Sequence, residues 1–497
     1  MNTKEDFSLE HIKIEFENQK TQYNILYIAL YHAIKSCILE TKLPHSWPLP
    51  STRYLCQHLK LSRTTILKSY ELLQLEKLII SKLGSGYYVN FEPKKHISKD
   101  TKQQNLSKVN YPEISENGKL YLKNISLINR LPDKDIAFRQ GLPPLDVFPV
   151  NQWKKLLNTY WRHIKSSNLS YSQTTGLEEF KKSVSHYLYV SRNVKCDPSQ
   201  LIITSGSLQS LYLISNTLIE KGDKIAVENP LFPNVHSVCR SSQANLIPTP
   251  INSEGIDLDK LNSNDLKGLK LIHVTPSNQY PLGNKMSLKR RQDLIKLASY
   301  HGSLIIEDDY ENEIANYQSS IPTLFSLDNE DRIIYMGTFN RLLHPSIRLG
   351  YMIVPKYLIP AVQALQEHSH RFVSPSLQMV MNQFIERNYL YKHIQRCMEV
   401  AKERHDLFKK LFKAHVKTMY IQEKPFCSFH LLGYFKEDKS VNDELNIIKK
   451  LKENHITAFP LSKCYIEGKP KTGLILGYAP VRNSILEKKV KRMGDII

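Results

Sequence analysis

Three groups of residues in this 497-residue chain have types and spacings that can do chemistry. Ser205-Gly206-Ser207 ends the apolar run LIIT and opens a stretch free of Gly and Pro. At such a junction the backbone N–H groups and dipole of a helix start can hold a phosphate, although the same residues also fit an ordinary strand-to-helix turn. Arg53 and Arg63 each lie close behind a serine, Ser51 or Ser62, that fits a helix N-cap, and Thr64 and Thr65 fill the first turn after Ser62. From a helix start an extended guanidinium can reach a backbone phosphate or fork onto the O6/N7 edge of guanine. The seven cysteines are odd in number, scattered and without a C-x-x-C pair. That pattern fits reduced thiols, and no metal site is expected.

The elements that must position these residues fall into two zones. Residues 25 to 40 (ILYIALYHAIKSCILE) predict a buried or amphipathic helix that PHSWPLP stops. Two short helices follow, after Ser51 and after Ser62. In the second, Ile66, Leu67, Tyr70 and Leu73 recur at helical spacing, leaving Arg63, Thr64, Thr65 and Lys68 nearer the exposed side. LIISK and YYVN then predict a hairpin whose tip, Gly84-Ser85-Gly86, permits positive φ and a close approach to another surface. A polar, basic stretch without clear period reads as a linker. From about residue 135, short apolar strands (LIITS, KIAVE, LKLIHVTP, LIIEDD, IIYMG) alternate with helix-length segments. Repeated β-α-β units predict a largely parallel sheet covered by helices, with ligands at the strand C-termini.

Composition bounds the partners. The formal charge is +20, from 68 basic and 48 acidic residues, and suits a phosphate-rich partner. Residues 1 to 100 carry only +4 of it, but residues 41 to 90 hold seven basic and two acidic side chains, so that core is locally basic. The N-terminus lacks the apolar core of a secretory signal, and no apolar run reaches membrane-spanning length, so a cytoplasmic protein without membrane attachment is expected.

The order helix, LPSTRYL, SRTTILKSYELL, GSGYYV resembles the GntR-type winged helix-turn-helix, which implies double-stranded DNA as partner and Arg53, Ser62, Arg63, Thr64, Thr65, Gly84, Ser85 and Gly86 as its DNA-facing residues. Downstream, FRQGLPPLDVFPVNQW, LSYSQTTGLEEF, TSGSLQSL, VENPLFP, VTPSNQYPLG, EDDYENE, GTFNRLLHPSIRLGY and GLILGYA together resemble fold-type I pyridoxal-phosphate aminotransferases. A GntR head ahead of such a body resembles the MocR/GabR subfamily of bacterial regulators. The implied architecture is α/β: a winged helix-turn-helix, then a PLP-transferase-like domain with a mostly parallel sheet and a smaller C-terminal α+β subdomain. The resemblance assigns the ligand phosphate to Ser205, Gly206, Ser207 and Arg348, ring stacking to Phe232, the pyridine nitrogen to Asp308, and the ring oxygen to Tyr310. It also implies that Tyr171 reaches the phosphate of a neighbouring subunit, and therefore a homodimer.

Where members of that family read GTFSK, this chain reads Gly337-Thr338-Phe339-Asn340-Arg341. A Schiff base needs a neutral amine, whereas a guanidinium stays protonated, so no catalytic residue is assigned and pyridoxal 5'-phosphate is expected to bind, where it binds, non-covalently. The substrate-binding arginines of relatives have no counterpart at Asn234 or near Leu474 to Leu476. The expected division is 20–91 for the DNA-binding head, 92–134 for a linker, and 135–497 for an effector and dimerisation domain. The expected function is a transcriptional regulator whose body senses a small-molecule effector, a vitamer or an amino acid, without turnover. The rivals are an active aminotransferase with a DNA-binding head and a ligand-free dimerisation scaffold.

Overall fold

The structure, a computed structural model, describes residues 3–92, 112–127, 137–315 and 321–497. The parts of the expected linker at 93–111 and 128–134 lie outside the described residues. The chain divides into two compact units, Met1–Pro112 and Glu113–Ile497.

The first unit is four helices and a hairpin: α1 (Thr3–Lys20), α2 (Leu26–Leu39), α3 (Thr52–Leu59), α4 (Arg63–Leu75), β1 (Ile79–Lys82) and β2 (Gly86–Val89). Ser51 and Ser62 cap α3 and α4, their hydroxyls accepting from the backbone N–H of Tyr54 and Thr65, each at 3.2 Å. Ile66, Tyr70 and Leu73 are fully buried against Ala29, Ile34 and Leu55, so the period-3.6 stripe faces the core as expected. β1 and β2 pair antiparallel from Ile79↔Val89 to Lys82↔Gly86. Sequence reasoning did not find α1. Its mostly polar surface hides a short apolar face, Ile12 and Phe16, buried against α2, and the indole N–H of Trp47 donates to Ser8.

In the second unit, eight strands form one mixed, mostly parallel sheet: β3 (Leu201–Thr204), β4 (Lys224–Asn229), β5 (Asn245–Asn252), β6 (Gly255–Ile256), β7 (Leu269–Val274), β8 (Leu304–Asp308), β9 (Ile333–Thr338) and β10 (Gly350–Ile353). Their order is β3-β10-β9-β8-β7-β4-β5-β6. The run from β9 to β5 is parallel, while β10 lies antiparallel between β9 and β3, and β6 antiparallel on the other edge. Apolar side chains on both sheet faces are buried, the pattern of strands covered by helices on both sides. A smaller antiparallel sheet follows, β11 (Met419–Ile421), β12 (His430–Phe435), β13 (Phe459–Pro460) and β14 (Gly473–Gly477), ordered β11-β12-β14-β13. The helix Glu116–Asn124 lies within the stretch read as a linker and docks on this unit, where Asn124 is buried and donates to Ser241 at 3.1 Å. Among the described residues no helix is long and apolar enough to cross a membrane.

Candidate functional site

The second unit contains a cavity of about 360 Å³ at the C-terminal ends of the parallel strands, lined among others by Arg139, Gln140, Ser207, Phe232, Asn234, Asp308, Tyr310, Thr338, Asn340, Arg341 and Lys463. β8 supplies its carboxylate by strand alternation. Glu307 points away from the cavity, accepting from the backbone N–H of Leu324 (3.0 Å) and Phe325 (2.9 Å). Asp309, just past the strand, pairs with Arg192 at 2.9 Å and accepts from the Tyr335 hydroxyl at 2.7 Å. Asp308 alone of the three acids lines the cavity, 3.7 Å from Nε2 of buried His273 on β7. Burial, with the charge of Glu311 nearby, holds the Tyr310 phenol well above its ordinary pKa, so it is a neutral donor.

Arg341 enters this space from the turn after β9. Its guanidinium carbon stands 5.3 Å from the Tyr310 ring centre and 5.8 Å from that of Phe232, within cation–π range of both. Its Nη1 is 3.5 Å from Oε1 of Glu311, and it packs so closely on Gly141 that a Cβ there would collide with it. Glu311 is 1% exposed, and its other oxygen accepts from Asn278 (3.0 Å) and Ser428 (2.7 Å). Asn340 braces the same turn: Oδ1 accepts from the backbone N–H of Leu349 at 3.0 Å, and Nδ2 reaches the carbonyl of Ser205 at 3.5 Å.

Ser207 begins the helix Ser207–Leu218 and lines the cavity, with Gly206 as its N-cap at φ 124°. A Cβ on Gly206 would stand 2.5 Å from Asn340 Nδ2, so both the backbone angle and the space require glycine there. Arg348, exposed, donates from Nη2 to Ser205 Oγ at 3.2 Å, which joins these two expected phosphate residues. Tyr171 is not brought in. It is 78% exposed at a separate hollow, and the Arg371 guanidinium lies 4.8 Å from its ring centre. Sequence reasoning also missed Glu311, His273 and Lys463. Glu311 was within reach, since it directly follows EDDY, but its buried partners come from distant segments.

In the first unit Arg53, Ser62, Arg63 and Thr64 are exposed and Thr65 is half-buried. The Ser62 hydroxyl lies 2.8 Å from those of both Thr64 and Thr65, which ties the start of α4 together. Gly84 and Gly86 take φ of 73° and 98°, and with Ser85 form an exposed tip.

The sequence pattern of the family Aminotransferase class I and II matches residues 134–474, and that of Bacterial regulatory proteins, gntR family, matches residues 26–89. The chain belongs to the class I and II aminotransferase family. Ahead of the aminotransferase body stands a GntR-type helix-turn-helix, a DNA-binding motif. The chain is 29% identical over 452 residues to the probable rhizopine catabolism regulatory protein MocR of Rhizobium meliloti, covering 91% of this chain and 90% of that protein. With this architecture it is a MocR-type GntR transcriptional regulator. It is 26% identical over 360 residues to the HTH-type pyridoxine biosynthesis transcriptional regulator PdxR of Corynebacterium glutamicum, 72% of this chain and 73% of that protein. The aminotransferase fold is shared with kynurenine aminotransferase of Pyrococcus horikoshii: TM-score 0.65 at 23% identity, covering 78% of this chain and 94% of that one.

Proposed function

We propose that this MocR-type regulator reads double-stranded DNA with the two heads of a homodimer, and that its aminotransferase body holds a pyridoxal-type vitamer, an amino acid or their adduct as an effector that it does not convert. The head spans residues 20–91 and the effector and dimerisation body 135–497. The join at 92–134 carries near its end the helix docked on the body.

The observation that carries this reading is Arg341, the side chain that enters the cavity between Phe232, Tyr310 and Glu311. A guanidinium remains protonated and delocalised, so it has no neutral amine with which to hold an aldehyde covalently. On the resemblance of Gly337-Thr338-Phe339-Asn340-Arg341 to the GTFSK of relatives, Arg341 would take the place of their lysine. The residues present nevertheless fit a pyridoxal ligand. Oδ1 of Asp308 and the Tyr310 hydroxyl are buried without a hydrogen-bond partner among the described residues, a costly state that a ring N–H and a ring oxygen would relieve. Phe232 would stack on the ring. Ser205, Gly206 and Ser207 at their helix start, together with Arg348, would hold the phosphate, and the exposed Tyr171 would reach the partner subunit's site.

Pyridoxal phosphate, when bound, supplies an electron-withdrawing ring and an aldehyde. The chain's own contribution is to orient that ring between Phe232 and the Asp308 carboxylate while Arg341 keeps positive charge beside it. The name of the Corynebacterium glutamicum relative, a regulator of pyridoxine biosynthesis, supports a vitamer-sensing body.

The test is the absorbance spectrum of the purified protein with added pyridoxal phosphate, followed by dialysis and by borohydride. Wild type is expected to bind the vitamer, to lose it on dialysis and to retain no label after reduction. Arg341→Lys is expected to retain a borohydride-fixed label. A label fixed on wild type would overturn the reading in favour of an enzyme, and absence of any vitamer binding in both proteins would favour a ligand-free scaffold.

A further inference from the structure

Three cationic side chains line the cavity: Arg139, Arg341 and Lys463. Arg341 faces the Glu311 carboxylate, and Arg139 has contacts of its own within the chain. Lys463 is exposed, makes no ion pair or side-chain hydrogen bond among the described residues, and is the only lysine among the described residues that line the cavity. Its position is nevertheless fixed. The buried carboxylate of Glu444 accepts from both the backbone N–H and the hydroxyl of Ser462. The carbonyl of Cys464, 1% exposed, accepts from the backbone N–H of Leu231 at 2.8 Å, next to Phe232. A turn held on both sides thus presents a strongly hydrated ammonium to the cavity, with no carboxylate paired to it among the described residues. Among the other residues that line the cavity, Ile475 of β14 contributes an apolar side chain and Asn234 an amide.

We propose that Lys463 is a specificity-determining residue that pairs with a carboxylate on the ligand, so that the cavity takes an amino-acid adduct of a pyridoxal-type group in preference to the vitamer alone. This rests on the vitamer-binding reading of the cavity. A ligand anion at Lys463 has two sources, the carboxylate of an amino acid or the phosphate of the vitamer. The carboxylate is favoured because the helix start at Ser207, with Arg348 and Ser205, already offers a phosphate its donors.

Two probes separate these sources, pyridoxamine phosphate and N-(5'-phosphopyridoxyl)-L-alanine. Both carry the ring and phosphate, neither has an aldehyde, and only the second bears a carboxylate. Calorimetric titration of the full-length protein is expected to show the alanine adduct binding about tenfold tighter, the worth of one charge-assisted hydrogen bond. Lys463→Gln should erase that difference while leaving the affinity for pyridoxamine phosphate unchanged, and Lys463→Arg should keep most of it. Equal weakening of both probes by Lys463→Gln would assign the lysine to the phosphate and overturn the proposal, as would an unaltered preference for the adduct. Binding of pyridoxamine phosphate without any preference in wild type would sink this inference alone, whereas failure of both probes to bind would take the vitamer-binding reading down with it.

Discussion

At the scale of single residues, the chemistry open to the cavity turns on charge type. Arg341 brings to the cavity a guanidinium, a group that offers no neutral amine for covalent chemistry, and buried Glu311 faces it at 3.5 Å. Removing the Glu311 charge leaves the Arg341 cation without its anionic partner, so Glu311→Gln is expected to tighten binding of anionic vitamers, measured as a lower Kd for pyridoxamine phosphate. Phe232 works through its ring face. Phe232→Ala is expected to weaken the same ligand by roughly tenfold, since a lost aromatic stack is worth about 1 kcal/mol beyond the area it buries. In the head, Arg63→Ala and Arg53→Ala are each expected to weaken operator binding by about 1–3 kcal/mol if the guanidinium forks onto a base. Loss of a phosphate contact would instead weaken all sequences alike and flatten the salt dependence. Unchanged operator affinity in both variants, read by fluorescence anisotropy across a salt series, would remove these residues from the DNA-facing set.

At the scale of elements, caps and strand ends do the positioning. The Ser62 hydroxyl caps α4 and orders the side chains of Thr64 and Thr65. Ser62→Ala should cost about 1 kcal/mol of head stability, seen as a lower midpoint in chemical denaturation. The ends of the parallel strands carry the pH dependence. Burial pushes the carboxyl of Glu228, at the end of β4, up to about 7 from an ordinary 4.5, against hydrogen bonds from Thr275. A carboxyl with a raised folded pKa binds more protons folded than unfolded between those values, so its contribution to stability falls as the pH rises from about 4.5 to about 7. Glu228→Gln removes that dependence. Relative to wild type, the variant is expected to gain thermal stability from pH 5 to about pH 7 and to level off above it, and a constant difference in Tm over that range would contradict the assignment.

At the scale of the whole molecule, one GntR-type head reads a half-site, so two heads in a dimer favour a repeated or inverted operator. Light scattering at micromolar concentration is expected to give a dimer, and a strictly monomeric species with full operator affinity would contradict it. Much of this organisation was legible in the amino-acid order. The serines before α3 and α4, the glycines of the hairpin tip, and the apolar runs that became β3, β4, β7, β8 and β9 are local signals, because caps, positive φ and strand patterns depend on a few adjacent residues. The docked helix Glu116–Asn124 and α1 were not legible, since each hides a small buried face in a polar stretch. Within EDDY the sequence offers three adjacent acids. Only the alternation of β8 between β7 and β9 turns Asp308 to the cavity, Glu307 to the backbone at Leu324, and Asp309 to Arg192. The partners of Arg341 and the approach of Lys463 likewise join segments far apart in the chain. The sequence by itself therefore determined the two-part plan, the capped helices and hairpin of the head, five strands of the main sheet and the arginine at position 341. Only tertiary structure decided which charges meet, because a charge's partner is set by sheet register and chain closure, neither of which leaves a local pattern.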